Sequence, residues 1–248
     1  MNFLDKSLKI GHSITRLKSV DSTNNYVAML YNDGKINHGC VIMAEEQTRG
    51  RGQRDNKWIS NPNENILISI CIEPINFLVE KQFDITCFTS IAISNYLNEL
   101  GIKAEIKWPN DIMVNEKKIA GILIENQLKG NLIKFSNIGI GINVNQLNFN
   151  ELKSTSIIKE LNKKIPINKH LSLLLNSLNK TYESLFYFDN KIRNRYLSNL
   201  YQFNVLKKYK ANNKLFYGKI IGVSKWGKLL IESQSKTLEF DNKEIKFI

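Results

Sequence analysis

The segment from Ala104 to Glu125 constrains the fold of this chain more than any other. Ala104-Glu105-Ile106-Lys107 enters a turn at Trp108-Pro109-Asn110-Asp111, and Ile112-Met113-Val114 leaves it. After Asn115-Glu116, a second apolar run follows from Lys118 to Ile124. Proline fixes φ and carries no amide proton, so Pro109 sets a turn and not a strand interior. Short apolar runs at hairpin intervals predict neighbouring strands. The segment therefore predicts a sheet whose loops display Lys107, Asn110 and Asp111, with Lys118 at the mouth of the next strand. Polar groups crowded between apolar runs in this way point to the handling of a charged ligand.

The rest of the chain reads as more sheet interleaved with helices. Leu8-Lys9-Ile10 and Ile14 to Leu17 predict a short strand or two, and Gly39–Ala44, Asn65–Ile72 and Leu132–Val144 predict buried strands. Asp21, Ser22 and Thr23 are N-cap candidates ahead of a helical run at Tyr26–Leu30. Helical spacing from Phe83 to Leu100 places Ile91, Tyr96, Leu97 and Leu100 on an inner stripe, with Gly101 as the terminating residue. A longer helix spans Asn168 to Tyr187 (Leu171, Leu174, Leu175, Leu178, Tyr182, Leu185), and a shorter one Lys191 to Leu200. Beyond Phe203, short apolar runs punctuated by Gly218, Gly222, Gly227 and Asp241-Asn242 predict four or five strands of a small β-barrel. The expected class is α+β: a mixed β-sheet with flanking helices over residues 1–203, and a small barrel over 204–248.

Composition excludes several function classes. Hydrophobic content of 42% and aromatic content of 10% are those of a folded protein. No apolar run approaches the ~18–20 residues needed to cross a bilayer. Met1 to Lys6 also lacks the apolar core of a secretory signal, so no membrane association and a cytoplasmic location are expected. Cys40, Cys71 and Cys87 have no CxxC spacing, and His12, His38 and His170 are scattered. The cysteines read as buried filler, and no metal cluster is indicated. Lys+Arg 35 against Asp+Glu 23 gives +12, which invites a nucleic-acid reading. The lysines are spread along the chain, however, and the densest run, Lys207-Lys208-Tyr209-Lys210, fits a solvated strand or turn.

Four groups of residues carry chemistry. In Gln47 to Trp58, Gly50 and Gly52 interleave with Arg49, Arg51 and Arg54, so backbone N–H and guanidinium groups can approach an anion. From the residues alone, an exposed basic turn or an RG-rich RNA contact stays open. Asp21-Ser22-Thr23-Asn24 is a helix cap first. Lys118, inside an apolar run, must either snorkel or meet an anion. Asn110 and Asp111 fit ordinary turn chemistry as well as ligand binding. Gly139-Ile140-Gly141-Ile142-Asn143 lacks the spacing of a dinucleotide fingerprint, and no Walker A sequence occurs. Glycines at alternate strand positions leave one face bare, against which a ligand can lie.

Taken in order, these blocks resemble the biotin–protein ligases, and the likeness covers nearly the whole chain. The resemblance implies a class II synthetase-like fold with a C-terminal barrel of the Src-homology-3 type. It implies two reactions: biotin and ATP, with Mg2+, give biotinyl-AMP, and a lysine of a biotin carboxyl carrier domain then takes the biotinyl group. By resemblance, Ser22, Thr23, Asn24 and Gln47 face the ureido ring of biotin. Gly50, Arg51, Gly52 and Gln53 fold over biotin, and Gly139 and Gly141 lie beside it. Lys118 contacts the biotin carboxylate and the α-phosphate. Arg51, Arg54, Trp58, Asn110 and Asn143 join Lys118 around ATP, with Trp58 as the adenine partner. Lys118, Arg51 and Asp111 are the implied catalytic groups, with Asp111 orienting or deprotonating the acceptor lysine. Magnesium is expected on the phosphates, with no protein ligand assigned.

The chain departs from the commonest family pattern, in which GRG precedes two basic residues and a glycine. Here Gln53, Arg54 and Asp55 stand in those places, so one cation is lost and a glycine is replaced. About 20 residues precede Ser22, fewer than the ~40 a self-standing domain needs. A monofunctional ligase without a DNA-binding domain is therefore expected, with homodimerisation possible in the family. The alternatives are a lipoate–protein ligase or transferase of the same fold, or a non-catalytic biotin- or nucleic-acid-binding module. The Arg-Arg…Gly-Gly-Gly and His-Asp strings of the lipoate relatives do not occur.

Overall fold

A computed structural model of the protein describes residues 9–54, 56–150, 152–187 and 191–248, without side chains for 183–187. Leu8, Asp55 and the Leu185 side chain, all counted in the sequence-based expectations, lie outside the described residues. The larger sheet has seven strands. Their order is β1 (Ile14–Val20), β2 (Val41–Gln47), β3 (Asn65–Ile72), β7 (Leu132–Asn143), β6 (Lys117–Lys129), β5 (Asp111–Val114), β4 (Glu105–Lys107). β1 and β2 run parallel and every other neighbouring pair antiparallel, so the sheet is mixed as expected. The turn between β5 and β6 uses Asn115 and Glu116 at φ 47 and 61, the left-handed pair that matches strand twist in a two-residue hairpin.

Period-two alternation gives this sheet two different faces. On β3, Ile66, Ile68, Ile70 and Ile72 enter the main core. Ser69 and Cys71 point the other way, toward α1 (Thr23–Asn32), which links β1 to β2. α2 (Gln82–Glu99) lies on the core face and packs against α4 (Ile167–Tyr187) and α5 (Lys191–Ser198). Helix α2 is buried nearly all round, from Phe83 to Leu97, and not only along the expected stripe. The sheet and two helices enclose it, and each large apolar side chain so buried contributes about 1.5–3 kcal/mol. Gly101 closes it at φ 83. Between β7 and α4 a five-residue helix, α3 (Ile157–Leu161), has no counterpart in the sequence reading. Among the described residues of the opening segment only β1 forms a strand, while Ile10 sits in a turn and is fully buried.

At the α2–α4 contact, the Tyr96 hydroxyl meets His170 Nδ1 at 2.6 Å, and His170 is completely buried. Burial, with Lys169 nearby, lowers the His170 pKa from 6.5 to about 4. Above pH 6.5 the ring is neutral folded and unfolded, so it adds no pH dependence. Between 6.5 and about 4 the unfolded chain takes up the proton first, so stability falls as pH falls; below about 4 the loss levels off. Melting temperature measured across this window therefore drops with acid, and His170→Gln flattens that drop.

The second sheet is antiparallel, in the order β11 (Lys236–Phe240), β10 (Leu229–Ser233), β9 (Lys214–Val223), β8 (Leu206–Ala211), β12 (Ile245–Phe247). Five strands form where four or five were expected, but among the described residues no ladder joins β11 to β12, so the barrel is left open along its outer strands. The turn between β9 and β10 seats this sheet on the larger one. Trp108 Nε1 donates to the Gly227 carbonyl at 2.8 Å, and Arg193 donates to the carbonyls of Ser224 and Lys225. Asp84 holds Arg193 Nε at 2.5 Å. Gly227, at φ 85, lies on the Phe83 ring where a side chain would clash. No described helix is long and apolar enough to cross a membrane, and the three cysteines are free and buried.

Candidate active site

The far face of the larger sheet carries a polar cradle. Ser22, Thr23 and Asn24 are at most 3% exposed. Ser22 takes the N-cap position of α1 by its backbone, but its side chain makes no capping bond. The Gln47 carbonyl oxygen caps instead, accepting from Thr23 N–H at 2.8 Å and from Thr23 Oγ1 at 2.9 Å. Ser69 Oγ reaches Thr23 Oγ1 and Asn24 Oδ1 at 2.7 and 2.6 Å. Asn24 Nδ2 donates to Glu125 Oε2 at 2.8 Å. Asp21 accepts from Asn25 Nδ2, which holds its carboxyl below the usual carboxylate range, with a smaller contribution from the Ser22 N–H. Hydroxyl and amide groups are thus fixed before any ligand arrives.

Strand pairing places three glycines together on this face. Gly139 lies between Ser69 and Leu123, and Gly141 between Leu67 and Gly121. Asn24 covers Gly139, while the Trp58 ring covers Gly141 and Gly121 so closely that a methyl group would clash. Simple alternation would put Lys118 on the opposite face from Gly121. A bulge prevents this: Ile112 pairs with Ala120 and Met113 with Lys118, leaving Ile119 extra. The extra residue re-aims Lys118 toward the cleft. Its ammonium group lies 2.5 Å from Asp111 Oδ1 and 5.5 Å from the centre of the Trp58 ring. Asn110 Nδ2 donates to the Ile122 carbonyl at 2.5 Å, tying the Pro-set turn to β6.

The Gly/Arg loop folds as a narrow hairpin. Trp58 N–H bonds the Gly50 carbonyl at 3.0 Å, Arg51 bridges Lys57, and Gly52 N–H bonds the Asn56 carbonyl at 2.7 Å. Arg51 points to β6, meeting Glu125 Oε1 at 2.6 Å and Asn25 Oδ1 at 2.7 Å. Gln53, at the tip, accepts from Asn242 Nδ2 in the turn between β11 and β12.

Together these parts enclose a cleft of about 670 Å³. Of the expected residues, Ser22, Thr23, Asn24, Gln47, Arg51, Gly52, Gln53, Trp58, Asn110, Asp111, Lys118, Gly139 and Gly141 line it. Gly50, Arg54 and Asn143 do not. Gly50 packs on the Trp58 backbone, with no space for a side chain. Arg54 is exposed at φ 56, turned away at the hairpin tip. Asn143 is buried at the end of β7, where its amide donates to the Thr155 carbonyl at 3.0 Å. The sequence reading missed Glu125 and Ser69, which anchor Arg51 and Asn24, and the lining residues Asn242, Lys243, Lys246 and Phe247. Glu125, a carboxylate ending an apolar run, was the one with a visible signal. Among the lining residues Asp111 is the lone carboxylate, facing Arg51, Lys57, Lys107, Lys118, Lys243 and Lys246.

The model of the Biotin/lipoate A/B protein ligase family matches residues 17–143, more than half of the chain and most of the cleft. The chain belongs to this family. Among relatives, it is 32% identical over 206 residues to the bifunctional ligase/repressor BirA of Bacillus subtilis, covering 79% of this chain. That alignment spans 62% of the relative's own length. A biotin–[acetyl-CoA-carboxylase] ligase of Mycobacterium tuberculosis is 29% identical over 112 residues, 44% of this chain and 40% of that protein. Among solved structures, the biotin protein ligase from Aquifex aeolicus in complex with biotin and ATP superposes with a TM-score of 0.78 at 25% identity. The match covers 95% of this chain and 98% of that one. Membership in the ligase family fits the open-faced mixed sheet, with its glycine-floored cleft and its cation-rich rim.

Proposed function

We propose that this member of the family is an ATP-dependent biotin–protein ligase. It activates biotin as biotinyl-AMP and transfers it to a lysine of a biotin carboxyl carrier domain. The observation that carries this reading is the division of one cleft into two chemistries. One end is an uncharged cradle from Ser22, Thr23, Asn24 and Gln47, which suits a cyclic urea offering two donors and an acceptor. The rest of the lining carries five lysines against one carboxylate, with Arg51 held on Glu125 beside the cradle, and this excess of positive charge suits a triphosphate. The glycine strip lies under Asn24 and the Trp58 ring, and in this reading the ring moves off it to let an apolar tail lie there. Magnesium enters as the counter-ion of ATP, carried by phosphate oxygens.

In this reading the ion pairs change partners. Lys118 leaves Asp111 for the biotin carboxylate and the α-phosphate, offsetting the repulsion between them. Arg51 leaves Glu125 and turns to the phosphates. A carboxylate oxygen of biotin attacks the α-phosphorus, and diphosphate departs. Asp111, released by Lys118, then accepts the proton that the acceptor lysine must lose before its amine attacks the acyl carbon and AMP leaves. Closure of the Gly/Arg loop keeps water from the acyl-adenylate. The test is diphosphate release from ATP with magnesium: release with biotin and none with lipoate supports the reading, and release with lipoate alone moves the protein to the lipoate branch.

A further inference from the structure

We propose that Gln53 and Asn242 form a clasp that holds the tip of the Gly/Arg loop on the second sheet and so retains the acyl-adenylate until an acceptor arrives. The clasp stands on geometry, while the retained species rests on the function proposed above. Gln53 Oε1 accepts from Asn242 Nδ2, and both residues line the cleft, so the bond joins the loop tip to the second sheet at the cleft wall. Both ends are fixed. The hairpin is laced by the Gly50, Arg51–Lys57 and Gly52 contacts below Gln53. Asn242 sits in a turn where its N–H donates to Asp241 Oδ1 at 3.1 Å and Asp241 N–H donates to Glu244 Oε2 at 2.7 Å. The next strand, β12, is paired to β8.

The loop has a second attachment, Arg51 to Glu125 on β6. That ion pair responds to the charge of the ligand, because phosphate groups compete for the guanidinium. A neutral amide pair does not respond in this way. When Arg51 turns inward, the clasp remains to hold the tip down. Gln53 also borders a smaller cavity of about 170 Å³ with Asn110, Ile122 and Trp226, so the clasped side chain divides the cleft from a neighbouring opening.

The test uses the full chain with Asn242→Ala and Asn242→Asp. Losing one neutral hydrogen bond corresponds to about a fivefold change. In ligand-free protein, trypsin is expected to cut at Arg49, Arg51, Arg54 or Lys57 about fivefold faster in Asn242→Ala. Asn242→Asp stays near wild type, because the Gln53 amide can rotate and donate to the new carboxylate. With biotin and ATP but no acceptor, wild type releases about one diphosphate per chain and then turns over slowly. The slow phase is expected to be about fivefold faster in Asn242→Ala, as biotinyl-AMP escapes. Equal trypsin rates in variants with the wild-type melting temperature overturn the clasp. Faster cutting with an unchanged slow phase overturns its role in retention. Should wild type release no diphosphate with biotin, the functional reading falls and the trypsin comparison still decides the clasp.

Discussion

Lys118→Ala slows biotin-dependent diphosphate release by about 10²–10³-fold, the usual cost of removing one group that stabilises transition-state charge. The bulge at Ile119 turns Lys118 into the cleft, and its ammonium lies on Asp111 and over Trp58. In the proposed first reaction two anions come together, and a cation between them would act mainly on the transition state. The pair with Asp111 is about one-third exposed on each side, and such pairs contribute about 1 kcal/mol or less to stability. Activity and stability therefore separate: the variant keeps its melting temperature within about 4 °C. A variant that releases diphosphate at the wild-type rate removes Lys118 from the mechanism.

Asp84→Ala does the reverse, destabilising the protein by about 3 kcal/mol although Asp84 itself does not line the cleft. Asp84 is 9% exposed at its side chain and Arg193 22%. Removing the carboxylate leaves a largely buried guanidinium bonded to the carbonyls of Ser224 and Lys225. The contact also seats the β9–β10 turn against Trp108, so both sheets lose a shared fixing point. For a chain of this length the loss corresponds to a fall in melting temperature of roughly 6–12 °C. Scanning calorimetry reads it directly, and a fall under about 2 °C shows that the pair is dispensable.

Local chemistry was legible in the sequence, and long-range geometry was not. Strand β3 has the expected bounds because an eight-residue apolar run with turns on both sides leaves little choice. The Asn115-Glu116 hairpin and Gly101 follow from backbone preferences of single residues. The cradle at Ser22 to Asn24 was visible because it lies in one helix start, although Gln47, and not a cap side chain, satisfies it. The aim of Lys118 depends on a bulge that alternation does not reveal. Asn143 carries an amide suited to a ligand, yet its strand ends beside the Thr155 carbonyl, which claims it. Asn242 and Lys246 reach the cleft only because the second sheet folds back over it, which no local pattern encodes. Five-residue α3 is too short to show a period.

The central claim is transfer of biotin to a carrier lysine, and intact-mass measurement of a biotin carboxyl carrier domain tests it most directly. The domain is incubated with this protein, ATP, magnesium and either biotin or lipoate. A gain of one biotinyl group is expected with biotin, no gain with lipoate, and none when the acceptor lysine is replaced. No gain with biotin from folded protein, or a gain with lipoate alone, would contradict it.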